Sequence, residues 1–96
     1  MAGHPDVELQ AALDAADAAS TQPDDQAPAD EWEKRMELQG AASTVAGCVQ
    51  TVIAGGQLDR DAVAEAGLLF DGLQRMGWRP EETAAWRRVR DLLLSR

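Results

Sequence analysis

Between Leu58 and Leu93 apolar side chains return every three or four positions, the period of helices that bury one face. Ala62, Val63, Ala66, Leu69, Phe70, Leu73 and Met76 form one continuous stripe, and Ala85, Trp86, Val89, Leu92 and Leu93 form the next. Asp59 stands at the N-cap of the first helix, with Leu58 and Val63 spaced as a hydrophobic staple, and Gly77 supplies its stop. Pro80 at the first helical position and Glu81-Glu82 in the first turn open the second, whose later half carries Arg87, Arg88 and Arg90 toward the negative end of the dipole.

Upstream, Leu38, Ala42, Val45, Val49, Val52 and Ile53 share one side of a helix that the pattern predicts from Asp30 to the Gly55-Gly56 stop. Asp30 is placed as its N-cap, with Glu33 three residues on as in a capping box. Thr44, Val45, Val49, Thr51, Val52 and Ile53 would also suit a strand, but no second such run exists to pair with it. Residues 20–29 are polar and hold two prolines, which marks a linker. Before it, Leu9, Leu13 and Ala16 recur at helical spacing in an alanine-rich run and predict a short helix with little to bury. The expected fold is all-α: a small helical bundle of three core helices, about 30–54, 60–76 and 80–94, plus a weakly packed N-terminal helix. Residues 1–29 then form an acidic N-terminal arm and 30–96 the bundle domain.

Charge sharpens this division. The net charge of −8 arises in residues 1–40, where ten acids face Lys34 and Arg35; residues 41–96 balance seven acids with seven arginines. An acidic arm that includes Asp24, Asp25, Asp30 and Glu31 repels phosphate and anionic lipid, which disfavours direct nucleic-acid or membrane binding. The one cysteine, Cys48, has no intrachain partner, and the first residues lack a basic stretch followed by an apolar run. A cytoplasmic protein is expected.

Catalytic chemistry finds few candidates. His4 lies at the chain terminus beside Pro5, Cys48 sits among small residues without an activating neighbour, and no zinc, calcium or phosphate-loop spacing occurs. The reading is therefore a non-enzyme without cofactor or metal.

What the pattern does offer is surface. Trp32 and Met36 point away from the main stripe of their helix, and Gly40, Ser43 and Gly47 continue that second face with small residues that admit a close neighbour. Leu68 and Leu94 project from the polar sides of their helices, Trp78 sits in the turn between the last two, and Arg87 and Arg90 belong to the only basic region. These ten residues are the candidate partner-binding set for a protein-protein interaction module, an adaptor, assembly or regulatory subunit, including as a homodimer. The bland alternatives are that another helix fills the second face and that the arginines pair with Asp91 or the arm. Two other functions fit less of the chain. One is an acidic inhibitor that occupies the basic groove of a nucleic-acid enzyme, as small phage counter-defence proteins do. The other is a helix-turn-helix regulator, although Gly67 falls out of register for that motif and the last helix lacks an Asn or Gln base reader.

Overall fold

Four helices follow the stripes in the computed structural model, which describes residues 5–20 and 25–96. They are α1 (Pro5–Ala19), α2 (Ala29–Ile53), α3 (Arg60–Arg75) and α4 (Pro80–Leu94), with no strand among the described residues. The ambiguous β-branched segment thus belongs to α2.

The stops form as the glycines predict. After α2, Gly55 takes φ 89°; its N–H donates to Val52 O, and the Gly56 N–H donates to Thr51 O at 2.8 Å. After α3, Gly77 takes φ 72° and Trp78 N–H donates to Leu73 O at 3.1 Å. Both are Schellman closures, in which a left-handed residue turns the last N–H groups back onto orphaned carbonyls. Asp59 caps α3 by accepting from Ala62 N–H at 3.1 Å. The capping box expected at Asp30 does not form. Pro28 occupies the N-cap of α2 without a side-chain bond, which places Asp30 inside the first turn, paired with Lys34 at 3.7 Å.

α3 packs between α2 and α4, antiparallel to both, and α1 lies antiparallel along α4. The outer limits of the α1–α4 contact are the Asp6–Arg96 pair and the bond from Trp86 Nε1 to Ser20 Oγ. At the centre Phe70 and Trp86 stack at 6.2 Å and 26° between ring planes. Leu38, Val45, Val49, Val63, Val89 and Leu93 are buried around them. α1 contributes a narrow stripe, Leu9, Ala12, Leu13 and Ala16, half of it alanine; per residue it buries less apolar surface than its neighbours, and it hardly touches α2. Two residues assigned to core faces turn outward: Met76, at the α3 C-cap, is 64% exposed, and Ile53, in the last turn of α2, is 38% exposed.

Gly67 leaves room on α3 for the Arg90 side chain of α4. A Cβ placed there would stand 2.3 Å from Arg90 Cδ. Alanine should gain about 1 kcal/mol of helix propensity but displace Arg90 from its partners. The expected outcome of Gly67→Ala in chemical denaturation is a net loss of about 1 kcal/mol, reverting to a gain when Arg90 is also alanine.

Candidate functional site

In the sequence Arg35 enters only the charge balance and Glu82 only as a first-turn acid favouring the α4 dipole. Both instead sit on the buried stripes of their helices, Arg35 in register with Leu38, Ala42 and Val45, Glu82 with Trp86, Val89 and Leu93. They are 2% and 3% exposed and form a bidentate ion pair, with Arg35 Nη2 donating to Glu82 Oε2 at 2.7 Å and Nη1 to Oε1. The Arg35 guanidinium lies 5.2 Å from the centre of the Trp78 ring, a cation–π distance. Trp78 is itself buried; its Nε1–H donates to both oxygens of Glu31, at 2.9 and 3.1 Å. Arg79 completes the cluster, 5.6 Å from the same ring and 3.8 Å from Glu31, with a left-handed backbone at φ 42°. This network locks the start of α2 onto the α3–α4 turn. It takes Trp78 out of the candidate contact surface and ties up Glu31.

A second clasp joins α3 to α4. Asp71 Oδ1 accepts from Arg87 Nε at 2.7 Å and from Arg90 Nη1 at 2.9 Å, and Arg90 also reaches Gly67 O and Asp91. Arg87 further donates to Gln74. Burial raises the Asp71 pKa, and the hydrogen bonds and charges of Arg90 and Arg87 lower it further than that, so the net displacement is below the usual aspartate value. A carboxylate more acidic in the folded than the unfolded chain stabilises above the unfolded pKa, about 3.9, and ceases to do so as pH falls through the folded one. Asp71→Asn should therefore cost about 1 kcal/mol at pH 7, and thermal melts of variant and parent should converge as pH falls through the lowered folded-state pKa of Asp71.

Arg88 pairs with Glu8 at 3.5 Å and Arg96 with Asp6 at 3.0 Å, so α4 also holds α1 by charge. Arg60 donates to the carbonyls of Leu94, at 2.9 Å, and Arg96. Arg87 and Arg90, candidates for a contact surface, are thus engaged inside the fold. Leu94 is half-buried against the core, contrary to its assignment to an exposed side, whereas Leu68 is 70% exposed on the outer side of α3.

The second face of α2 remains open. Met36 is 69% exposed, Trp32 is half-buried, and Gly40, Ser43 and Gly47 are exposed. A Cβ on Gly40 or Gly47 would meet nothing within 4 Å. Neither α1 nor α4 fills that side. Between α2 and α3 a shallow groove of about 500 Å³ is lined by Gly40, Ala41, Thr44, Ala62, Glu65, Ala66 and Leu69. Of the acidic candidates, Asp25 and Asp30 are exposed; Asp24 and His4 lie outside the described residues. Burial, and then the nearby Asp59 charge, raise the Cys48 thiol above its ordinary pKa, which leaves less thiolate at neutral pH.

Among the described residues no group of His, Cys, Asp and Glu is placed to hold a metal ion, and no helix is long and apolar enough to cross a membrane. No protein-family model, curated protein or solved structure matches the chain.

Proposed function

We propose that this chain is a non-enzymatic protein-interaction module, an adaptor, assembly or regulatory subunit, that engages a partner with a basic surface in the cytoplasm. The distribution of its cations supports the reading. Lys34, Arg35, Arg79, Arg87, Arg88, Arg90 and Arg96 are all paired with carboxylates of the same chain. Arg60 is spent on the C-terminal carbonyls, and Arg75 is the one other exposed cation without a carboxylate partner among the described residues. Exposed acids without a cation remain at Asp14, Asp17, Asp25, Glu33, Glu37, Asp61, Glu65 and Glu81 among the described residues. A surface on which most cations are already neutralised by carboxylates of the same chain, and carboxylates are in excess, attracts basic partners and repels phosphate.

The same carboxylates support a second reading, an acidic inhibitor occupying the phosphate-binding groove of a nucleic-acid enzyme. Self-association through Trp32 and Met36 would bring two chains of charge −8 together, so a concentration-independent monomer is expected in light scattering. A helix-turn-helix role would need Arg87 and Arg90 to leave Asp71, and no shift of duplex DNA is expected at micromolar protein.

The test is affinity capture from the native cell on the immobilised full chain, beside the Asp14→Asn/Asp17→Asn/Glu33→Gln/Glu37→Gln variant. A specific partner should be retained at low salt, released by roughly 0.3–0.5 M salt as exposed charges are screened, and lost with the variant. A partner held equally by the variant and through about 1 M salt would refute the reading.

A further inference from the structure

α1 and α2 touch sparingly where they pass, although α1 lies close along α4 and α2 along α3. The seam opens as a groove of about 570 Å³ lined by Asp6, Val7, Gln10, Ala11, Asp14 and Ile53. Val7 is 68% and Ile53 38% exposed, so two of the large apolar side chains left uncovered by the fold meet here. α1 as a whole carries four carboxylates and no cation, and two of them, Asp6 and Asp14, line the groove. Arg96 and Arg88 of α4 answer Asp6 and Glu8. Asp14 receives only the Gln10 amide, at 2.9 Å, and Asp17 has no partner among the described residues.

We infer that this groove receives an amphipathic helix, bearing lysine or arginine, from another protein. Its apolar face seats on Val7, Ala11 and Ile53, and its cations face Asp14 and Asp17. Charge complementarity selects this occupant over a second copy, whose α1 would bring the same carboxylates and no cation. Positions 7, 11 and 14 repeat at helical spacing, so the wall offers a helical ligand a groove between two helices. The inference rests on the basic-partner reading above and gives it a location.

Methyl NMR on the full chain tests it. Ile53 is the single isoleucine, so its δ1 methyl is an unambiguous reporter, with Val7 on the facing wall. The probe is a synthetic peptide of about 18 residues with leucines at helical spacing and lysines elsewhere, compared with its glutamate counterpart. Saturable shifts at Ile53 and Val7 are expected with the lysine peptide alone. Followed by calorimetric titration, Val7→Ser/Ile53→Ser should weaken binding at least about tenfold, and Asp14→Asn/Asp17→Asn about fivefold. Glu33→Gln/Glu37→Gln, on α2 away from the seam, should leave it unchanged. Binding that survives Val7→Ser/Ile53→Ser, or shifts centred away from Ile53, would overturn the groove and leave a basic partner standing. No binding of the lysine peptide anywhere on the chain would overturn both.

Discussion

Glu82→Ala is expected to lower the free energy of unfolding by about 3–5 kcal/mol, because it leaves the Arg35 guanidinium buried without its counter-charge. Arg35 has nowhere else to turn. Both residues are almost fully excluded from solvent, and Arg35 Nε already lacks a hydrogen-bond partner among the described residues. A chain of 96 residues has roughly 5–14 kcal/mol of stability to lose. The variant should accordingly melt far below the parent, or stay partly unfolded at room temperature. Removing both charges has the opposite sense. Arg35→Leu/Glu82→Leu should fall within about 2 kcal/mol of the parent or exceed it, since a buried pair costs desolvation that a well-packed apolar pair does not. A four-variant cycle in urea, with Arg35→Leu and Glu82→Leu alone as the other corners, checks this. A Glu82→Ala loss under about 1 kcal/mol would mean that water reaches the pair.

Trp86→Ala should be comparably damaging, at about 3–5 kcal/mol. The indole stacks on Phe70 of α3 and donates to Ser20 just beyond α1, so one side chain joins three helices. Truncation leaves a cavity where the core is densest and removes the tie at the C-terminal end of α1. Trp86→Phe should recover more than half of the loss by restoring ring packing without the Ser20 bond. Hydrogen exchange offers a second check. In Trp86→Ala the amides of α1 should exchange well ahead of those of α3, whereas in the parent the difference should be smaller.

The parts of this fold legible in the sequence are those set by local chemistry. Gly55 and Gly77 turn the chain where a left-handed residue is required, Asp59 finds the Ala62 N–H, and the stripe from Val63 to Leu73 lies buried as its period implies. Local reading fails where a distant partner decides. Arg35 and Glu82 are separated by 47 positions, and each alone resembles a solvated charge. The available signal was register: 35, 38, 42, 45, 49 and 52 step by three and four, as do 82, 86, 89 and 93. A cation and an acid at the leading positions of two facing stripes form a complementary pair. Trp78 is legible as a turn residue, but its partners are not, since Glu31 and Arg35, which hold it, come from another helix. At the start of α2 the signal itself misleads, because Pro28 takes the N-cap two residues ahead of Asp30, and Asp30 then pairs with Lys34. The small-residue face of α2 is legible as a face, while its being covered or open is not. Whether another helix fills it depends on where α1 lies, and α1 follows α4.

The functional account depends on cations answered by carboxylates of the same chain and on an excess of exposed carboxylates. The ionic-strength dependence of binding to the lysine peptide, beside that to a DNA duplex, tests this most directly. Affinity for the peptide should fall steeply between about 50 and 300 mM salt, and the duplex should not bind even at the lower value. A salt-independent peptide affinity would mean that the exposed carboxylates do not carry the binding, a duplex that binds would mean that the arginines leave their carboxylates for phosphate, and either would contradict the account.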